Sequence, residues 1–221
     1  MTNVAQRLYF IAKPSDHGLI VEKNIEFTFF AGQSKFQKQK SIDSMIYAIR
    51  AVESGGNILE VSTKSRTPLG NVLSGFQLEY FDKEQGKGIP VVNIFEGSKV
   101  FEKGGPYLEL LHCTPLEAKR DERLLSSGKL LGFEYEGEKY DLQPRSLFYD
   151  WIYLKALNVH PEYHEELLAY DIFTDIEYNM TKMFACQARS VAYFVSLYRK
   201  NLLKETMKDI DLFKKIYTMT F

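Results

Sequence analysis

Apolar positions along this chain follow two periods, and the period changes where turn residues cluster. Over residues 7–12 and 18–30, apolar side chains such as Ile20, Val21, Ile25, Phe27 and Phe29 are β-branched or alternate with polar neighbours. That is the pattern of strands with one buried face, so the N-terminal part reads as a small sheet. From residue 32 to 53 the spacing becomes three and four, through Phe36, Ile42, Met45, Ile46 and Ile49, with Gly55 and Gly56 as a stop. A first long helix is predicted there. Residues 57–64 read as a strand, residues 65–70 as a polar loop, and residues 82–88 as a charged linker.

Pro90 has no amide hydrogen to lose and suits a first helical turn, while Gly104 and Gly105 suit an end. The spacing between them predicts one helix over residues 91–107, with Val92, Glu96 and Lys99 along one side. Thr114, Pro115 and Glu117 have the spacing of a capping box, and a helix through residue 125 follows. Residues 131–142, with Glu136 and Gly137 at the middle, read as a hairpin. After Pro144, Leu147, Phe148, Trp151, Ile152, Leu154 and Leu157 form the apolar face of a helix over 145–158. Further helices are predicted over 181–199 and, with a tail, over 200–221.

The fold class is α+β, mainly helical, with a small N-terminal sheet and a β-hairpin. A single domain is expected over 1–221: a β-rich part with one long helix (1–63), a core carrying the motifs (64–200), and a C-terminal helix and tail (201–221). Hydrophobic residues at 45% support one sizeable core. A net charge of −1 gives no general attraction to a phosphate backbone, so nucleic-acid contact has to come from a local patch. Nothing approaches the ~20 apolar residues that span a bilayer, which points to a cytoplasmic protein without a membrane partner. Cys113 and Cys186 are isolated, and His160 with His164 lacks a third ligand, so neither a disulfide framework nor a metal site is suggested.

Candidate chemistry gathers in a few places. Glu96 and Lys99 put a carboxylate and an amine on one face, which by spacing alone is an exposed ion pair. The basic start of the first helix, Ser34 to Ser41, suits a phosphate or a solvated surface alike. Lys64 and Arg66 suit a diphosphate or an exposed loop, and Arg120 and Arg123 suit salt bridges or a phosphate. Trp151, the only tryptophan, is a candidate for stacking on a base, with burial as the alternative. Asp175 and Glu177, carboxylates in a short aromatic segment, suit acid–base work or capping of the helix that follows.

Several of these stretches together resemble one family. Val91 to Lys99, VVNIFEGSK, is similar to the V-E-x-x-F-Q-x-x-K signature of the NADAR superfamily (YbiA-like), with Glu96 in place of the glutamine and Val92 in place of the glutamate. Leu73 to Phe76, LSGF, resembles its F-S-N-F element, with Gly75 for asparagine. With AKRDERL, FYDWIYLKAL and FTDIEYN…CQARS, the combination resembles the NADAR subfamily associated with DarT-type toxins, which attach ADP-ribose to guanine bases in DNA.

The resemblance implies a metal-independent ADP-ribosyl hydrolase without cofactor. It would cleave the N-glycosidic bond to guanine and act as antitoxin, with ADP-ribosylated DNA, ADP-ribose and a cognate DarT-type toxin as partners. Lys99, desolvated, would form a Schiff base with the sugar, with Glu96, Asp175 and Glu177 as rival proton carriers. Lys64, Arg66, Ser74, Phe76, Ser98, Arg120, Trp151, Asn179 and Gln187 would contact ADP-ribose or guanine. The alternatives are a non-catalytic ADP-ribose or toxin-binding module, and hydrolysis of a small phosphoribosyl N-glycoside.

Overall fold

In a computed structural model that describes residues 2–14, 18–82, 86–181 and 183–218, the alternating N-terminal segments form antiparallel strands β1 (Thr2–Ile11) and β2 (Val21–Phe30). Helix α1 (Lys35–Val52) begins where the Ser34 side chain accepts a hydrogen bond from the Gln37 amide. Strand β3 (Ile58–Glu60) and helix α2 (Pro68–Val72) follow, then β4 (Glu79–Asp82), β5 (Lys87–Pro90), α3 (Val91–Gly97) and β6 (Lys99–Phe101). A 3-10 turn (Leu108–His112) leads to α4 (Pro115–Arg120), α5 (Arg123–Ser126), and the hairpin β7 (Leu130–Tyr135) and β8 (Glu138–Asp141). Helix α6 (Leu147–Asn158), the short α7 (His164–Leu167), β9 (Ile172–Thr174), α8 (Gln187–Arg199), α9 (Leu203–Thr206) and α10 (Ile210–Thr218) complete the described chain.

Instead of one small sheet and one hairpin, three small sheets pack with the helices among the described residues, β2-β1-β9-β3, β4-β5 and β6-β7-β8. The largest departure is in the stretch expected as one helix over residues 91–107. It ends at Gly97, because Lys99 to Phe101 pairs with β7, Lys99 lying opposite Phe133. Gly105 then turns the chain at φ +83°, where a Cβ would lie 2.1 Å from the Lys99 carbonyl oxygen. Pro90 closes β5 and precedes α3 rather than entering its first turn.

Other boundaries moved for local reasons. The two ends of the linker over 82–88 belong to strands, Asp82 to β4 and residues 87–88 to β5, which pair with Tyr80 opposite Ile89, both buried; residues 83–85 lie outside the described residues. The strand expected over 57–64 stops at Glu60, and the chain turns where the Ser65 amide bonds the Ser62 carbonyl. The helix expected through residue 125 breaks between α4 and α5, where the Asp121 side chain accepts from the Arg123 amide at 2.9 Å. The helix expected from residue 181 starts at Gln187, so Asp175 and Glu177 do not cap it; the Asn179 side chain accepts from the Thr181 amide in a turn instead. The C-terminal helix is two, α9 and α10, and residues 219–221 lie outside the described residues.

Two features match the pattern in detail. Thr114 and Glu117 form the capping box with Pro115 in the first turn. Glu136 and Gly137, both at positive φ (52° and 77°), make the two-residue turn between β7 and β8.

Helix α6 is buried at every position except Lys155 and Asn158. At its centre Asp150 is fully buried and accepts hydrogen bonds from Ser190 Oγ (2.6 Å), Arg189 Nη2 (2.8 Å) and Tyr217 Oη (3.0 Å). Burial raises its pKa and the Arg189 guanidinium opposes the rise, so α6, α8 and α10 are joined through one carboxylate. Among the described residues no helix is long and apolar enough to cross a membrane. Substituting Arg189→Met leaves that carboxylate without its cation, and is expected to cost about 3–5 kcal/mol, read as a lower urea midpoint near neutral pH; an unchanged midpoint contradicts this account.

Candidate functional site

Strands β3 and β9 run parallel, Glu60 opposite Thr174, and the chain leaving each carries polar side chains to the same place. Glu60 Oε2 accepts from Thr174 Oγ1 (2.6 Å) and Oε1 from the Ile176 amide (2.9 Å). Asp175 follows directly, its Oδ1 accepting from the Glu177 amide (3.0 Å). Both carboxyls are almost fully buried, Glu60 at 3% and Asp175 at 5% exposure. Loss of water, and then the charge of Glu60, pushes Asp175 up to about 8. Burial also raises Glu60, against its hydrogen bonds. Glu177 turns outward and accepts from Lys38 Nζ of α1 at 2.9 Å.

The facing wall is built by the segment after α2 and by α3. The Gly75 amide donates to Gln187 Oε1 (2.8 Å), and Gln187 Nε2 donates to the Val61 carbonyl (2.6 Å). Gln187 thus ties the start of α8 to both walls. A Cβ at Gly75 would lie 2.9 Å from Tyr149 Oη, so the glycine makes room for that phenol, which burial pushes above its usual range. From α3, Val92, Phe95 and Glu96 face the resulting cavity, of about 320 Å³. Lys64, Ser74, Phe76, Asp175, Glu177 and Gln187 are also on its walls.

A second cavity, of about 290 Å³, adjoins the first, and Phe95, Glu96, Lys119, Met183 and Ala185 line both. Lys99 and Arg120 line the second. Although Lys99 stands on β6 and not on a helix, its ammonium is in direct contact with the Glu96 carboxylate, and it lies 4.7 Å from the centre of the Phe95 ring. The two side chains retain 15% and 10% exposure. A carboxylate and an amine able to pass a proton between them therefore stand where the cavities meet.

Four residues named from the sequence lie elsewhere. Arg66 is on the surface, held by Asp43 at 2.6 Å. Ser98 is buried at the end of α3, away from both cavities. Asn179 is engaged with Thr181. Trp151 is 5% exposed and stacks on Phe213 at 5.8 Å, a core position to which no base has access. His160 contacts Glu162 and the Glu79 carbonyl, and His164 the Leu157 carbonyl.

Sequence reasoning missed Glu60, Tyr149 and Lys119. A lone glutamate inside the apolar run NILEV was the available signal for Glu60. Tyr149 and Lys119 carry none that separates them from their neighbours.

Over residues 5–220 the chain matches the family described as DarT1-associated NADAR antitoxin. No curated protein matches it.

The raised carboxyl has a consequence for stability. The native protein keeps the Asp175 proton up to about pH 8, whereas an unfolded aspartate releases it above about pH 4. The contribution of Asp175 to stability is therefore fullest below about pH 4 and is lost as the pH rises to about 8, beyond which it is flat. Urea midpoints at about pH 5 and about pH 8 should fall between the two for the wild type and fall less for Asp175→Asn. An equal fall in both proteins excludes this carboxyl as the source.

Proposed function

The chain belongs to the DarT1-associated NADAR antitoxin family, and from that premise we propose that it removes ADP-ribose from guanine bases in DNA. It would do so by hydrolysing the N-glycosidic bond, thereby acting as antitoxin to a DNA ADP-ribosyltransferase of the DarT type. The observation that carries this reading is the Glu96–Lys99 pair at the junction of the two cavities. ADP-ribose occupies the first cavity. Lys64 and Lys119 supply charge for the diphosphate, and Asp175, neutral below about pH 8, donates a hydrogen bond to a ribose hydroxyl.

The bond to be broken joins the anomeric carbon to a guanine nitrogen. Transfer of the nitrogen's proton to the ring oxygen opens the ribose and leaves an imine between that carbon and the base. Glu96 takes a proton from the Lys99 ammonium, and the free amine adds to the imine carbon. The proton on Glu96 passes to the guanine nitrogen, a second proton moves to that nitrogen from the Lys99 nitrogen, the carbon–guanine bond breaks to free the guanine amino group, and a protonated Lys99 imine forms. Water then adds to that carbon, the carbon–Lys99 bond breaks, and the aldehyde form of ADP-ribose is released as the amine takes back its proton. One water is consumed for each guanine restored. Removing a nucleophile of this kind costs at least about 100-fold in rate.

A second reading, binding without turnover, has one observation in its favour. Val92 places an apolar side chain on the cavity wall at the position where the NADAR signature has a glutamate.

The experiment is release of ADP-ribose from guanine-ADP-ribosylated DNA by the wild type and by Lys99→Ala. Loss of at least about 100-fold in the variant, with ADP-ribose binding retained, is expected. Absence of release by either protein, with ADP-ribose still bound, would refute the hydrolase and leave the binding module.

A further inference from the structure

Beyond Glu96 lies the second cavity, for which ADP-ribose has no need in this reading. Its floor is apolar and aromatic, with Met183 and Phe184; its rim, on α4 and α5, brings Lys119 and Arg120 beside Leu124 and Leu125. The carboxylates on its walls are engaged, Glu96 with Lys99, and Asp121 with Arg123 at 2.8 Å. Lys119 and Arg120 make no ion pair with the described residues, so the charge left over on this wall is positive. Leu125 is 92% exposed, more than any other large apolar side chain among the described residues.

A cation without an ion pair, Arg120, at the rim of a cavity with an aromatic floor suits a base attached to a phosphate, and a leucine held in water at the rim suits contact with an unstacked neighbouring base. We propose that the second cavity receives the modified guanine of a nucleic acid strand, with a flanking phosphate on Arg120 and Leu125 wedged against the adjacent base. The proposal rests on the hydrolase reading. With ADP-ribose in the first cavity, the guanine bonded to its anomeric carbon lies across the Glu96–Lys99 pair. A base reaches such a cavity only when turned out of its stack, and an apolar side chain then fills the space it leaves.

The test compares kcat/KM on an ADP-ribosylated single-stranded oligonucleotide and on ADP-ribosyl-deoxyguanosine, for wild type, Leu125→Asp and Arg120→Ala. Because Leu125 is exposed, the aspartate variant is expected to fold. It should lose at least about tenfold more on the oligonucleotide than on the nucleoside. Arg120→Ala should reduce the slope of log KM against log salt by about 0.7 on the oligonucleotide. If both substrates turn over and Leu125→Asp changes them equally, the strand-binding face is overturned while the hydrolase stands. The same kinetics with lost binding of a DarT-type toxin would give this face to a protein instead. Release from neither substrate by the wild type overturns the hydrolase reading and this proposal with it.

Discussion

Two carboxyl groups buried as neighbours cannot both be ionised at neutral pH, and the candidate site is arranged around that constraint. Glu60 and Asp175 meet because β9 inserts between β1 and β3, so that a segment from late in the chain ends level with one from its first third. Burial, and then the charge of Glu60, keeps the proton on Asp175, the member of the pair on the wall of the first cavity. The outer member of the group, Glu177, turns toward Lys38. A single cavity wall therefore offers a hydrogen-bond donor at Asp175 and an acceptor at Glu177, from one short segment.

The opposite wall is positioned by aromatic packing. Phe95 sits 5.4 Å from Phe133 and 5.1 Å from Tyr149, between the hairpin and α6. Anchoring that ring fixes the rotation of α3, which is too short to hold an orientation alone. Glu96, the next residue, is left facing the cavities. Lys99 arrives from a different element, since β6 is held by β7, and the ion pair joins a helix to a sheet. Its geometry depends on both being packed against the same aromatic cluster.

What was legible in the sequence was local. The hairpin turn at Glu136–Gly137 needs two residues at positive φ, and the capping box needs Thr114 and Glu117 three apart; neither depends on the rest of the fold. The helix expected to carry Lys99 failed because its C-terminal part finds a strand partner at Phe133, which no local period reports. Glu60 escaped notice for the same reason, its chemistry arising from Asp175, Thr174 and Ile176 far along the chain. Trp151 showed the converse, a residue of functional appearance whose helix is buried at all but two positions. Glu96 and Lys99 were paired in the sequence because the motif keeps them close, and their side chains do meet, even though the element joining them was misread.

The carboxylate at the centre of α6 also orders events in time. Asp150 meets Tyr217 across 67 residues, and β1 meets β9 across most of the chain. During synthesis, which adds about 5–20 residues each second, α6 emerges before Ser190, Arg189 and Tyr217 exist to satisfy its buried charge. The helical core thus stays open on the ribosome until α10 has been made, and closes in a late step involving contacts distant in sequence.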